Sequence, residues 1–348
     1  MTLTSGGILI IDKEEGLTSS AVVSRVRVLL GERRVGHTGT LDPFATGVLP
    51  ICYGRATAAA HYMLDWNKRY LCGISLGLST DSMDYTGITI ERTPETVLKR
   101  FVSKDEHLLR ELKAVARSFI GKRIQRVPIF SAVKVDGKRL YRYAREGSEV
   151  DLPEREITVY EAVFHGMTID EDTGFPVVSV EFLVSAGTYI RALAEEYGRA
   201  LGCSAHARSL RRLAAGSLTV EQSVTLERLF DAFNKLGRDP MRLRQCLAED
   251  GTIKSLGSIF TSWRCVMFDR EGALDLTHGR KVPVNRGRLL PPRCECTEHG
   301  EDDLIVFCHG EQLVAFGFIE GQYYRVKRVF LEPTEIKSFE GKVCPNDI

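Results

Sequence analysis

The stretch Gly36-His37-Thr38-Gly39-Thr40-Leu41-Asp42-Pro43-Phe44-Ala45-Thr46-Gly47 decides how the rest of the chain is read. Three glycines, three threonines and a proline within twelve residues exclude a regular helix or strand. They describe a tightly folded loop that lets backbone approach a ligand and presents His37 and Asp42. Loops of this kind on a rigid scaffold often hold active sites. On these residues alone, a plain turn opened by Asp42-Pro43 is an equally good reading.

On the N-terminal side, Gly7-Ile8-Leu9-Ile10-Ile11 is a short β-branched run and predicts a buried strand. Thr18 or Ser19 can cap a following helix in which Val22, Val23, Val26, Leu29 and Leu30 recur at helical spacing, with Gly31 as its stop. On the C-terminal side, Tyr70, Cys72, Ile74, Leu76 and Leu78 alternate as in a half-buried strand. A helix is expected between about Asp105 and Phe119, then strands over Glu156 to Thr168 and Phe175 to Ser185. The second of these runs into a helix with Ile190, Leu193, Ala194, Tyr197 and Leu201 on its apolar side. Strands and helices interleave without a regular βαβ period, so the fold class is α+β.

A seam falls around Arg238 to Ser262. Beyond it, strand-like Leu304 to Cys308, Leu313 to Ile319 and Tyr323 to Phe330, punctuated by glycines, suit a small β-rich domain. The expected division is a domain over residues 1–247, with a basic insertion at about 119–152, then a second domain over 248–335 and a tail over 336–348.

With 43% hydrophobic and 27% charged residues the chain reads as an ordinary globular protein. No run approaches the roughly 20 apolar residues of a membrane helix, and Met1 to Gly7 does not resemble a signal peptide. The expectation is a cytoplasmic protein with free thiols among its nine cysteines. Cys294, Cys296, His299, Cys308 and His309 cluster in sequence, but their spacing fits no zinc ribbon or finger, so no metal is expected. The net charge of +1 hides opposed segments. Phe119 to Arg145 carries eight basic residues against Asp136 alone, and Cys294 to Glu320 carries seven acids and no lysine or arginine. The basic segment, with Pro128 and Gly137, predicts a loop or hairpin able to follow a phosphate backbone, although such a run is commonly just a solvated face.

The Gly36–Gly47 loop resembles the G-H-x-G-x-L-D-P-x-A-x-G motif of the TruB family of pseudouridine synthases, and its neighbours agree in order. Gly7 to Lys13 with Gly16-Leu17-Thr18-Ser19 resembles that family's opening strand and turn. Asp65 with Lys68-Arg69-Tyr70 resembles its D-x-x-K-x-Y segment. Pro128, Ser131-Ala132, Lys134, Gly137, Leu140-Tyr141 and Ala144-Arg145 resemble its RNA-clasping insertion. Gly187-Thr188-Tyr189-Ile190-Arg191 resembles G-T-Y-I-R, and Leu210-Arg211-Arg212-Leu213 the L-R-R segment. The resemblance spans about Gly7 to Leu229. Glu14-Glu15, where the family usually has a proline, and Phe130, where a tyrosine is common, depart from it.

The resemblance implies a mixed, largely antiparallel sheet flanked by helices, a C-terminal PUA-like RNA-binding domain, and isomerisation of uridine 55 in the T loop of tRNA without any cofactor. It implies Asp42 as the catalytic carboxylate, Arg191 as the guanidinium that keeps it ionised, and Tyr70 as the pocket tyrosine that stacks on uracil. Tyr189 and Leu210 would line the base pocket, and His37 would pack against the RNA when the base leaves the stack. Gly39 would allow close approach. Lys13, Lys68, Lys134, Arg145, Arg208, Arg211 and Arg212 would supply RNA contacts. A monomer with no membrane and no obligate protein partner is expected. The competing readings are a guide-RNA-dependent relative, an RNA chaperone without catalysis and, more remotely, a metal-dependent nuclease.

Overall fold

The computed structural model describes residues 6–102, 105–290 and 304–336. The chain forms two compact units, one of Met1–Asp42, Val48–Leu64 and Gly216–Ile348, the other of Pro43–Gly47 and Asp65–Ala215.

The second unit is built on a largely antiparallel sheet. Its central strand, Lys68–Leu76, pairs with Pro176–Val184 on one side and with Ala205–Ala215 on the other, both antiparallel. Beyond Pro176–Val184 come Glu154–Ile169 and then Gly121–Arg126, again antiparallel. The alternation expected around Phe182 is realised: Val178, Val180, Phe182 and Val184 are all buried. Each large apolar side chain so buried contributes about 1.5–3 kcal/mol. Two helices cover this unit's core. Glu106–Ser118 starts where Asp105 accepts from Leu108 N–H, and Ile190–Ala200 follows the Phe182 strand. Phe119 joins them to the sheet, lying 6.4 Å from the Phe182 ring and 6.0 Å from that of Tyr197. The Tyr197 hydroxyl donates to Leu112 O at 2.7 Å. The Tyr70 strand, expected to be half-buried, is buried on both faces from Cys72 to Leu76, because strands flank it on both sides.

The basic insertion is more regular than its prolines and glycines suggest. A Lys134–Val135 and Lys138–Arg139 hairpin turns through Asp136 and Gly137, both at positive φ, and runs directly into a helix, Leu140–Glu146.

Gly47 locks the end of the Gly36–Gly47 loop to this sheet. Thr46 and Gly47 pair parallel with Arg211 and Arg212, and Gly47 sits at φ 99°. A Cβ added there would lie 2.2 Å from Arg212 O and 2.8 Å from its N. Both the conformation and the backbone approach therefore require glycine. Gly47→Ala is expected to destabilise the protein by about 3 kcal/mol or more. Denaturant titration checks this; a midpoint unchanged from the unaltered chain would contradict it.

In the first unit, Gly6–Lys13 carries the fully buried Ile8, Leu9, Ile10 and Ile11. It pairs parallel with Val224–Thr225 and antiparallel with Ile253–Lys254. The helix Ser19–Leu30 is capped by Thr18 and ended by Gly31 at φ 58°. The helical pattern from Leu226 to Leu247 divides into Leu226–Lys235 and Pro240–Glu249, with Gly237 and Arg238 at positive φ between them. The stretch expected to open a second domain at 248 first supplies Ile253–Lys254 to the N-terminal strand. Among the described residues, a separate six-stranded sheet is built from Cys265 onward, around a core that includes Val266, Phe268, Leu276, Phe307 and Tyr324. Among the described residues no helix is long and apolar enough to cross a membrane.

Candidate active site

The loop that holds Asp42 is tied down by its own unit on both sides. Thr38 N–H donates to Pro50 O at 3.2 Å. The Ser19 hydroxyl donates to Leu41 O at 3.1 Å and accepts from Leu41 N–H at 2.9 Å. Gly39 N–H donates to His37 Nδ1 at 3.3 Å, which places the proton of neutral His37 on Nε2. Leu41, at 3% exposure, anchors the loop just ahead of the half-buried Asp42. Asp42 is thus a carboxylate on a fixed backbone, four residues before the Thr46–Arg211 pairing.

Within the second unit, Tyr70 is buried and lies opposite Phe182 on one neighbouring strand and Arg212 on the other. Leu210, also buried, pairs with Cys72 on the same strand pair. Arg191, only 3% exposed, is held at the start of its helix by three oxygens. It donates through Nη1 to Ser82 O at 2.5 Å and through Nη2 to Phe130 O at 2.9 Å, and Nη1 is 3.6 Å from Asp84 Oδ2. Asp84 is buried as well, and it accepts from Ser82 Oγ, Thr86 N and Thr86 Oγ1. Two backbone bonds with Ala207 and a positive φ of 62° at Met83 shape the loop around Asp84. A guanidinium held on several sides in this way offers a fixed charge without reorganisation.

Two residues that sequence reasoning missed support this arrangement. Asp84 is one. Gln125 is the other: its buried side-chain amide donates to Tyr189 O at 3.0 Å and accepts from Tyr189 N at 2.8 Å, fixing the backbone just before Arg191. The signal for Asp84 was the Asp81-Ser82-Met83-Asp84-Tyr85-Thr86-Gly87 run, a turn composition. Gln125 carried no signal inside a run of basic residues.

His206 sits on the Ala205–Ala215 strand with Nδ1 3.0 Å from Leu78 O. Burial holds its imidazole below the usual 6.5, against the opposing pull of the Leu78 hydrogen bond and Asp84. Between the folded and unfolded values the unfolded chain binds more protons, so stability is fully present above about pH 6.5 and falls as the pH drops below it. His206→Gln is expected to flatten that part of the stability–pH curve. Unfolding midpoints from pH 7.5 to 5 check this, and equal slopes for both proteins would contradict it.

A family model for the TruB family pseudouridylate synthase N-terminal domain matches residues 27–190, and one for the tRNA pseudouridylate synthase B C-terminal domain matches residues 191–249. The tRNA pseudouridine synthase B of Geobacter sulfurreducens is 38% identical over 294 residues, covering 84% of this chain and 85% of that protein. The same-named protein of Ralstonia pickettii is 32% identical, with 93% of each chain covered. The chain belongs to the TruB family. Among solved structures, a Cbf5-Nop10-Gar1 complex is similar with a TM-score of 0.66 at 25% identity, covering 96% of this chain and 87% of that one. A second, an H/ACA RNP bound to a substrate RNA, is similar with a TM-score of 0.65 at 24% identity, covering 94% and 86%. Together with the sheet described above, this is the α+β pseudouridine synthase fold of the TruB family.

The structure places the expected RNA contacts unevenly. Lys13 is fully buried, and its ammonium donates to Glu14 O at 2.8 Å and Leu17 O at 2.7 Å. It closes its own turn and is not presented to a phosphate. Arg212, at 1% exposure, and Lys68, at 6%, are buried within strands of the sheet. Arg208 is ion-paired with Asp170 at 2.7 Å and lies over the Tyr85 ring, so much of its charge is already answered. Arg211 is half-buried and donates to Thr46 Oγ1 at 3.4 Å. Lys134 and Arg145 are exposed on the insertion, with Arg145 5.5 Å over the Tyr141 ring. Lys122, Arg123 and Lys138 pair with Glu156, Glu196 and Glu146, which leaves the insertion less basic than its composition. Tyr189 is half-buried at the start of the Arg191 helix.

Of the Cys/His cluster, Cys294, Cys296 and His299 lie outside the described residues. Cys308 and His309 are adjacent on one strand and so point to opposite faces. His309 Nδ1 meets Phe268 O at 3.0 Å. Cys52 and Cys72, buried in strands, have thiols pushed up to about 12 by desolvation.

Proposed function

We propose that this chain isomerises uridine 55 in the T loop of tRNA to pseudouridine, with Asp42 as the catalytic carboxylate and Arg191 as its cationic partner. The residue assignment is supported by the family match, which takes in both the Asp42 loop and the G-T-Y-I-R segment. Within its own unit the Arg191 guanidinium is buried and held by Ser82, Phe130 and Asp84, a fixed charge that needs no reorganisation to act.

The N1–C1′ bond breaks, the freed uracil rotates, C5 bonds to C1′, the C5 proton leaves, and N1, freed of its bond to C1′, takes up a proton. The product is an isomer, so no electrons and no group need a carrier. An ionised carboxylate suffices, either adding to C1′ or removing the 2′ proton. Tyr70 stacks on the base and relays the C5 proton. Leu210 and Tyr189 line the base pocket, and His37 packs where the base leaves the stack. Lys134 and Arg145 on the insertion, together with Arg211 and the close backbone at Gly39, make the RNA contacts. Recognition of the folded T arm is then mainly by shape and backbone.

The C-terminal six-stranded sheet is read as a PUA-like RNA-binding module, supported by Leu276-Thr277-His278-Gly279-Arg280 and Gly317-Phe318-Ile319. The reading also takes the chain as a cytoplasmic monomer that works without a guide RNA. Incubating the purified chain alone with a T-arm transcript and mapping pseudouridine chemically tests it. Modification at uridine 55 is expected; modification only when a guide RNA or another protein is added would overturn it.

A further inference from the structure

Among the described residues, the second unit keeps one hydroxyl, that of Ser131, buried and unanswered. Ser131 is 6% exposed, and its Oγ has no hydrogen-bond partner among the described residues. The backbone around it is well satisfied. Ser131 N–H donates to Ile129 O at 3.0 Å, its carbonyl accepts from Tyr141 N–H at 3.2 Å, and Val133 O accepts from Leu140 N–H at 2.8 Å. A buried hydroxyl left unmade lowers stability, and alanine in the same backbone would avoid that loss. The position is therefore better explained by a partner that arrives from outside.

Its place indicates which partner. The preceding residue, Phe130, gives its carbonyl to Arg191 Nη2 at 2.9 Å. Standard bond lengths then keep Ser131 Oγ within about 8 Å of the Arg191 guanidinium. That span is about one nucleoside. The Oγ is sealed from solvent, so the side chains that cover it must shift for a ligand to reach it, while the backbone that carries it is already fixed by the insertion's turn. It can donate and accept at once, and a uridine nucleoside offers both kinds of group in its carbonyl oxygens, N3–H and 2′-hydroxyl.

We propose that Ser131 is a substrate-binding residue whose hydroxyl completes its hydrogen bond on the flipped uridine beside Arg191. This rests on the activity proposed above. The unmet group in the free protein then becomes part of recognition: a target nucleoside answers it, and RNA bound without base flipping leaves it unanswered.

The test uses the full chain with Ser131→Ala and Ser131→Thr. On a T-arm transcript, Ser131→Ala is expected to lower kcat/KM by about 10-fold without lowering the unfolding midpoint. Ser131→Thr, which keeps the hydroxyl, should recover most of the loss. Binding is compared on the same T-arm RNA and on one with a propyl spacer in place of the target nucleoside. Ser131→Ala should weaken binding to the first and leave the second unchanged. The proposal is overturned if kcat/KM for Ser131→Ala stays within about twofold of the unaltered chain, as for a hydroxyl met by water alone. Equal weakening on both RNAs also overturns it, as for a change in the insertion's fold. If the unaltered chain makes no pseudouridine, the reading of its activity fails instead, and the binding comparison, which needs no turnover, still decides the role of Ser131.

Discussion

Asp42→Asn is expected to leave T-arm binding within about threefold and to lower turnover by roughly 10⁴-fold or more, the scale seen when a nucleophile is removed. The substitution is isosteric. It leaves the bonds between Ser19 and Leu41, the burial of Leu41 and the Thr46–Arg211 pairing untouched, so the loop keeps its shape. What changes is the chemistry. A neutral amide neither adds to C1′ nor takes the 2′ proton. Single-turnover kinetics with labelled T-arm RNA, alongside a binding titration, separate the two effects. Retained turnover within tenfold of the unaltered chain would remove Asp42 from the mechanism, and a parallel loss of binding would make it a structural residue.

Arg191→Ala is expected to act on stability as well as on turnover. It leaves the Asp84 carboxylate buried without its guanidinium and strips the Ser82 and Phe130 carbonyls of a donor. Breaking a buried pair from one side costs about 3–5 kcal/mol. The chemistry of the site makes a second variant informative. Arg191→Met combined with Asp84→Asn removes both charges, and it should recover much of the lost stability while staying inactive. Denaturant midpoints for the single and double variants, read beside turnover, check this. A single variant as stable as the unaltered chain would show that the Arg191–Asp84 pair is not energetically coupled. Recovery of turnover in the double variant would show that the Arg191 charge is not used on substrate.

The parts of this fold that could be read in the sequence are those set by local rules. Alternation placed Val178, Val180, Phe182 and Val184 on one buried face, and Thr18, Gly31 and Asp105 marked helix ends because caps answer backbone groups a few residues away. The parts that escaped depend on partners distant along the chain. Asp84 meets Arg191 from more than a hundred residues away, and Gln125 reaches Tyr189 across sixty-four. The resemblance implies phosphate contacts at Lys13 and Arg212; in the structure one closes its own turn and the other lies inside a sheet. The short helix Leu140–Glu146 was hidden by the hairpin turn before it, and Ile253–Lys254 is too short a strand to announce itself. The motif loop fared differently. Its glycines and proline excluded regular structure, and only its order among the neighbouring segments pointed to Asp42.

The central claim, that this chain forms pseudouridine 55 through Asp42, is tested most directly by mapping tRNA from a strain that lacks the chain and is complemented with either the unaltered gene or Asp42→Asn. The account predicts unmodified uridine 55 in the deletion strain, restored modification with the unaltered gene and none with Asp42→Asn at equal protein level. Full modification in the deletion strain, or restoration by Asp42→Asn, would contradict it.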